Sequence, residues 1–213
     1  MNLVDHVICA FEDAASGKKE SALLHACIAV DATSKKLYGG QSSSRKNYKR
    51  CLRSYWWILE PMMGVGLNLE DTKFENLKIL DGGKPIASPD FADVVYHVFR
   101  CNHAHGNEVP IEYQLMPSVP GHYYWQLAEG VLKMPDTVIW ALLAVCIFSK
   151  ANAGVTSGGD LYLTWGPSEI DGKVHRFPLS DWWGKEDEFR AFIEPQNVRR
   201  VKLAGLAGPW GKP

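Results

Sequence analysis

The chain has no paired-cysteine motif, no long apolar run and almost no net charge, and each absence closes off a class of protein. Its five cysteines (Cys9, Cys27, Cys51, Cys101 and Cys146) are odd in number, scattered and free of any C-x-x-C pair. That excludes a disulfide framework and a cysteine-built zinc module. Most fall at core-like helical positions, as reduced buried thiols of a cytosolic protein do. The longest apolar stretch, Val138 to Phe148, is too short to span a bilayer. Asp5 and His6 interrupt the only early apolar run, so no signal peptide is predicted. The expected location is the cytoplasm, with no membrane partner. Phosphate-loop, dinucleotide, serine-hydrolase and zincin signatures are all missing. No cofactor and no resident metal are expected.

What is present is an ordinary globular composition. The 213 residues are 46% hydrophobic, enough for a sizeable core in one domain with an appendage. The formal net charge of −1 favours no partner, but its distribution is uneven. From Ala32 to Leu59 there are seven basic residues and no acid. Five of them, Arg45, Lys46, Lys49, Arg50 and Arg53, crowd the first half of a predicted helix, where the helix dipole disfavours cations. They read either as a solvated face or as a phosphate-binding surface, candidate RNA contacts.

The periodicity is mainly helical. Leu3, Val4, Val7, Ile8 and Phe11 predict a helix over 3–15, and a second runs from about Glu20 to Tyr38. Asp31 falls on the apolar side of that second helix, either at its wet margin or paired with a cation. A third helix carries Tyr48 to Met62 and ends near Pro61 or Gly64. A short strand is expected at 74–80 before a turn at Asp81-Gly82-Gly83. Alternation in Val109–Leu115 and Tyr123–Leu127 predicts a β-hairpin across Pro117–Gly121. Pro135-Asp136 then opens a very apolar helix to Lys150. Beyond a linker at 151–159, a second hairpin turns at Asp171-Gly172, a short acidic helix runs from about 180 to 193, and a Gly/Pro-rich tail closes the chain. The expected fold is mainly α: a helical bundle over 1–152 with a hairpin near 108–129, then a small α/β appendage over 153–213.

The stretch that organises the rest is Ser88 to Gly106, SPDFADVVYHVFRCNHAHG. Ser88-Pro89-Asp90 reads as a helix start and Gly106 as its stop. Phe91, Val94, Val95 and Val98 supply the apolar rod. On an ideal helix Phe91, Val95, Val98, Asn102 and His105 share one side, with Tyr96, Arg100 and His103 opposite. Apolar residues on both sides predict a sandwiched helix, and a homodimer formed around it. Arg100, Asn102, His103 and His105 are costly to bury without partners, so a use for them is expected.

Arg100-Cys101-Asn102-His103-Ala104-His105-Gly106 resembles the R-x4-6-H signature of HEPN domains, here with four residues between Arg and His. The helix-two segment ALLHACIAVDATSK is similar to the early helices of bacterial HEPN-like proteins. The resemblance covers roughly residues 1–152 and is specific at Arg100, His105 and Gly106. Many members carry a polar residue directly after the Arg, where this chain has Cys101. The resemblance implies a HEPN-like bundle and a metal-independent endoribonuclease whose site is composed across a dimer. It further implies a setting in toxin–antitoxin or phage-defence systems, with a possible antitoxin partner.

The residue types suit that chemistry. Proton transfer near neutral pH is natural work for His105. An arginine fork at Arg100 supplies fixed charge for phosphate oxygens. Asn102 would bond the phosphate or a neighbouring loop, with Asp31, Tyr96 and His103 in support. Two alternatives stand beside it: a non-catalytic HEPN-like module that binds RNA or protein, and a metal site at Cys101, His103 and His105. The second needs a strand, since alternate positions share a side only there. Trp57, off the apolar stripe of its helix, is a candidate for stacking on unpaired bases.

Overall fold

The computed structural model describes residues 1–39, 44–64, 66–101, 110–118, 123–166, 172–196 and 201–202. The protein is mainly α-helical with small sheets. Helix α1 (Leu3–Ala15) opens on a capping box in which Asn2 and Asp5 exchange side-chain and backbone bonds. It lies against α2 (Lys19–Tyr38), which in turn packs on the later apolar helix Val138–Phe148. The predicted third helix is two helices, α3 (Ser44–Ser54) and α4 (Trp56–Met63), broken at Tyr55. Tyr55 reaches out of the break: its hydroxyl donates to Glu186 Oε2 at 2.6 Å and lies 2.8 Å from Ser149 Oγ. After α4 the chain turns through β1 (Leu67–Asn68), with buried Glu60 accepting the Leu69 N–H at 2.8 Å.

The strand expected at 74–80 shrinks to a two-residue pairing of β2 (Leu80–Asp81) with β3 (Lys84–Pro85) around Gly82-Gly83. Phe74, Leu77 and Ile79 are buried without forming a ladder. Helix α5 (Phe91–Val94) begins two residues later than Ser88 and Pro89 suggested. Its cap is Asp90, in a second capping box with Asp93. The helix then widens into a π-helical segment, Val95–Arg100.

The hairpin expected between 109–115 and 123–127 is corrected. β4 (Tyr113–Met116) pairs in parallel with β6 (Val131–Pro135), and β5 (Gln126–Ala128) pairs antiparallel with β6, giving the order β4-β6-β5. The tight turn is Glu129-Gly130, both at positive φ (52° and 80°), the geometry that two-residue hairpins need. Residues 119–122 of the turn expected across Pro117–Gly121 lie outside the described residues.

Helix α6 (Val138–Phe148) carries no polar side chain, and all of it but Trp140 is buried. β7 (Tyr162–Trp165) and β8 (His175–Pro178) form the second antiparallel hairpin as expected. The acidic helix is split into α7 (Leu179–Trp182) and α8 (Glu186–Ile193) by Gly184. β9 (Val201–Lys202) returns to pair in parallel with β1.

The segment after residue 152 shares its core with the helices before it. Phe148 of α6 stacks on Phe189 of α8 at 3.6 Å between centroids. Phe177, Trp182 and Phe192 gather on the same pair. Buried residues from Leu3 to Ile193 form one contiguous cluster. No helix among the described residues is long and apolar enough to cross a membrane.

Gly184 is the hinge of that C-terminal packing. Its φ is +75°, its N–H donates to the Ile147 carbonyl at 2.8 Å, and a Cβ there would run into the Ala153 backbone. Replacing Gly184 by Ala is expected to lower stability by about 2–4 kcal/mol, from strain plus displacement of Ala153. Chemical denaturation is the check, and an unchanged midpoint would remove Gly184 from this role.

Candidate functional site

The site is built where the π-helical segment meets α2. Burial of Val95, Tyr96, Val98 and Phe99 holds the segment against the core, and the wider turn is closed by the Cys101 N–H donating to the Tyr96 carbonyl. Arg100 ends the segment with its side chain 23% exposed. Its guanidinium lies over the Tyr96 ring at 5.5 Å, and Nη2 stands 3.7 Å from Asp31 Oδ2. Burial works against charge on Arg100, but Asp31, Tyr96 and Cys101 together outweigh it and its pKa is raised: the group is a permanent cation.

Asp31 is therefore paired, not left at a wet margin. Its Oδ2 also accepts from Lys35 Nζ at 2.8 Å, one helical turn on. Its Oδ1 is buried and has no hydrogen-bond partner among the described residues. Beneath Arg100 the Tyr96 ring meets Tyr48 edge-on at 5.3 Å, and Tyr48 meets the Cys27 thiol. Burial pushes Cys27 up to about 12 and Tyr48 well above its ordinary range, so both stay neutral.

The cations of α3 have a different employment from the one their clustering suggested. Lys49 Nζ bonds Asp93 Oδ1 at 2.8 Å. Arg53 reaches Asp90 at 2.7 Å and Asp93 at 3.4 Å, and Arg45 pairs with Asp81. Arg50 stacks on Tyr38 at 4.4 Å. Lys46 is exposed, with no ion pair among the described residues. Three of the five candidate RNA contacts thus serve as counter-ions: Lys49 and Arg53 face the capped start of α5, and Arg45 faces Asp81. His97 lies in the same network; burial, then Lys49, lowers its pKa, and its Nε2 is buried without a partner among the described residues.

Asn102, His103 and His105 lie outside the described residues, as do Gly106 and Glu108. The structure therefore brings together Arg100, Asp31 and Tyr96 of the candidate residues. No cluster of three metal-ligating side chains occurs among the described residues. Trp57 is covered by Arg190, whose guanidinium sits 4.0 Å over the indole, and packs toward Phe189. Trp57 is half-buried, and Arg190 occupies a face of the indole on which a base would stack.

Sequence reasoning missed Asp90 and Asp93 as the partners of α3. Their D-x-x-D spacing ahead of an apolar run is a capping-box signal that was legible. It also missed Tyr48 and Cys27 beneath Arg100, for which one-dimensional spacing holds no signal.

Fold and site define a mainly α-helical protein with an arginine presented at the end of a π-widened helix. Residues 2–205 match the family model described as Rv1289, and the chain belongs to that family. Its relatives include proteins named "Uncharacterized protein Rv1289" from Mycobacterium tuberculosis and "Uncharacterized protein Mb1320" from Mycobacterium bovis. Each is 33% identical over 186 residues, covering 87% of this chain and 83% of the relative. No solved structure matches the chain.

Two substitutions weigh these ion pairs. Burial pushes the Asp93 carboxyl up, but Lys49 and the Asp90 backbone outweigh it and hold it below the ordinary carboxylate value. That stabilisation is fully present above about pH 4 and is lost as pH falls through the lowered value. Lys49→Met should cost about 2–4 kcal/mol at neutral pH and move acid unfolding to higher pH. Asp31→Asn should cost less, about 1–2 kcal/mol, because Lys35 is half exposed. Urea melts at several pH values decide both, and the reverse order would misplace the stronger pair.

Proposed function

We propose that this protein is a metal-independent endoribonuclease of the HEPN type, acting in the cytoplasm as a homodimer with Arg100 and His105 as its catalytic pair. The observation that carries the reading is the state of Arg100. Its guanidinium is oriented by Asp31 and Tyr96 yet keeps an exposed face, and the next residues in the chain supply Asn102, His103 and His105. A cation fixed in this way needs little reorganisation when charge builds on a phosphate.

In this reading the 2′-hydroxyl of the RNA loses its proton to His105 and attacks the adjacent phosphorus. Arg100 donates a forked pair of hydrogen bonds to the non-bridging oxygens as their charge grows. The 5′-oxygen leaves with a proton from a protonated His105, and the site of the second protomer is the natural donor. The products are a 2′,3′-cyclic phosphate and a 5′-hydroxyl. Asn102 bonds the phosphate, Tyr96 and His103 support the site, and Asp31 is a positioning residue that works through Arg100. An antitoxin would act by covering this surface.

A second reading, a non-catalytic module that binds RNA or protein, is favoured by one observation: Arg45, Lys49 and Arg53 are already taken by carboxylates. Only Lys46 and Arg50 of that helix are left to meet phosphate without breaking an ion pair of the fold.

The decisive experiment incubates purified protein with a panel of single-stranded RNAs in EDTA. Cleavage is expected to persist, to stop on a substrate with 2′-deoxyribose at the cut, and to fall by about 10²-fold or more in His105→Ala and in Arg100→Ala. His103→Ala should matter less. Light scattering should report a dimer. Intact RNA bound in a salt-dependent way would establish the binding module instead.

A further inference from the structure

The residues that the function above leaves unused include a histidine pair between the first two helices. His6 of α1 and His25 of α2 meet Nδ1 to Nδ1 at 2.9 Å. Their ring centroids are 5.2 Å apart, about the N···N distance plus the two ring radii, so the nitrogens face each other in line. Two lone pairs cannot face one another at that distance, nor can two N–H groups. One proton must lie between them. A transition cation bonded to both rings at about 2.0–2.1 Å would, in this head-on orientation, hold the nitrogens about 4 Å apart. The gap fits a proton and not a metal.

We propose that His6 and His25 form a single-proton latch that fastens α1 to α2 at neutral pH and releases it in mild acid, when both Nδ1 atoms are protonated. With no net charge the pair is imidazole N–H facing imidazole N. With one added charge it is imidazolium N–H facing imidazole N, and the bond persists. A second added proton places two donors and two positive charges head to head.

Charged groups surround the pair on both helices. Asp13 Oδ2 on α1 lies 3.9 Å from His25 Nε2, and Asp13 is held by Ser21 Oγ at 2.5 Å and Lys18 at 4.0 Å. A carboxylate thus stands behind the His25 ring. His6 is opposed by burial first, then by charge on His25 and by the Met1 ammonium, while Asp5 favours its charging; the net effect lowers its pKa. Lys19, at the start of α2, is taken up by Asp136 at 2.6 Å.

The sign follows from the lowered value. The unfolded chain takes up the proton more readily than the folded one, so the latch is fully effective above about pH 6.5 and weakens as pH falls through that value toward the lowered folded one. α1 is also held by the buried Leu3, Val7 and Ala10, by Phe11 packed edge-on against Trp140 and by the Ser21–Asp13 bond, so release loosens α1 on α2 and does not detach it. The device is independent of the ribonuclease reading, since none of its residues belongs to that site.

Hydrogen exchange on the full chain tests it, with rates corrected for the intrinsic effect of pH. Between pH 7.5 and 5.5, amides of α1 should lose several-fold more protection than those of α6, in the direction that the lowered His6 value sets. His6→Gln and His25→Asn should each abolish the pH dependence of that difference, whatever their effect on its size. Ring 15N spectra of the parent protein at neutral pH should show the bridging proton, and this needs no variant to fold. The latch is refuted if the bridging proton is missing, if α1 protection does not change with pH, or if His6→Gln keeps the parent's profile. Protection of α1 raised by micromolar zinc, and lost in both variants, would also overturn it in favour of a metal site.

Discussion

A helix with no polar side chain has to be enclosed on every side, and that requirement on α6 shapes the molecule. Each fully buried aliphatic residue contributes about 1.5–3 kcal/mol only if water is kept from all of it. One flank of α6 is covered by α2 and another by α4. The remaining flank is closed by the aromatic cluster of the C-terminal segment, Phe177, Trp182 and Phe189. The chain after residue 152 is thus bound into the core by the same demand that places α2. The Tyr55–Glu186 and Tyr55–Ser149 contacts sit along that seam, where polar groups must find each other or go unpaired.

Charge is arranged by a second constraint of the same kind. A capping box of two aspartates at the start of α5 satisfies the first backbone N–H groups of the helix, but it buries Asp90 and Asp93 side by side. Two neighbouring carboxylates with little exposure repel each other unless cations are near. Lys49 and Arg53 of α3 supply them, and Arg45 treats Asp81 in the same way. The acid-free run between Ala32 and Leu59 is one half of an ion-pair arrangement whose other half lies in the next part of the chain. What looked like an anion-binding surface is largely a structural clamp, whose Arg45 and Arg53 keep partly exposed side chains beside their carboxylates as Arg100 does beside Asp31.

How much could be read from the sequence depended on whether the deciding partner was near in the chain. α1, α2, α6 and the β7–β8 hairpin follow from local periodicity and local turns, and their expected bounds are close to those seen. The break at Tyr55 was not legible, because its hydroxyl partners lie 94 and 131 residues away. The β4-β6-β5 order was hidden for a related reason: alternation in two segments says that each is a strand but not which third strand they share. Asp31 was readable as an anomaly on an apolar stripe, whereas its pairing with Arg100 depends on tertiary packing. Asn102, His103 and His105 lie outside the described residues, so their part in the site is carried by the sequence alone.

The π-helical segment connects these two constraints to the candidate chemistry. A six-residue π stretch has poorer hydrogen-bond geometry than an α-helix and persists only where its surroundings compensate. Here the compensation is visible: Val95, Tyr96, Val98 and Phe99 are all buried, and Phe99 packs edge-on against Tyr113 of β4. Only His97 and Arg100 of the six escape full burial. The ion-pair clamp fixes the start of this helix, and the packing of its middle against α2 fixes its course. Arg100 is the residue at which that packing gives way to exposure. Tyr96 and Asp31 then define where the guanidinium rests, so its position is set by the whole bundle and not by the residues that follow it.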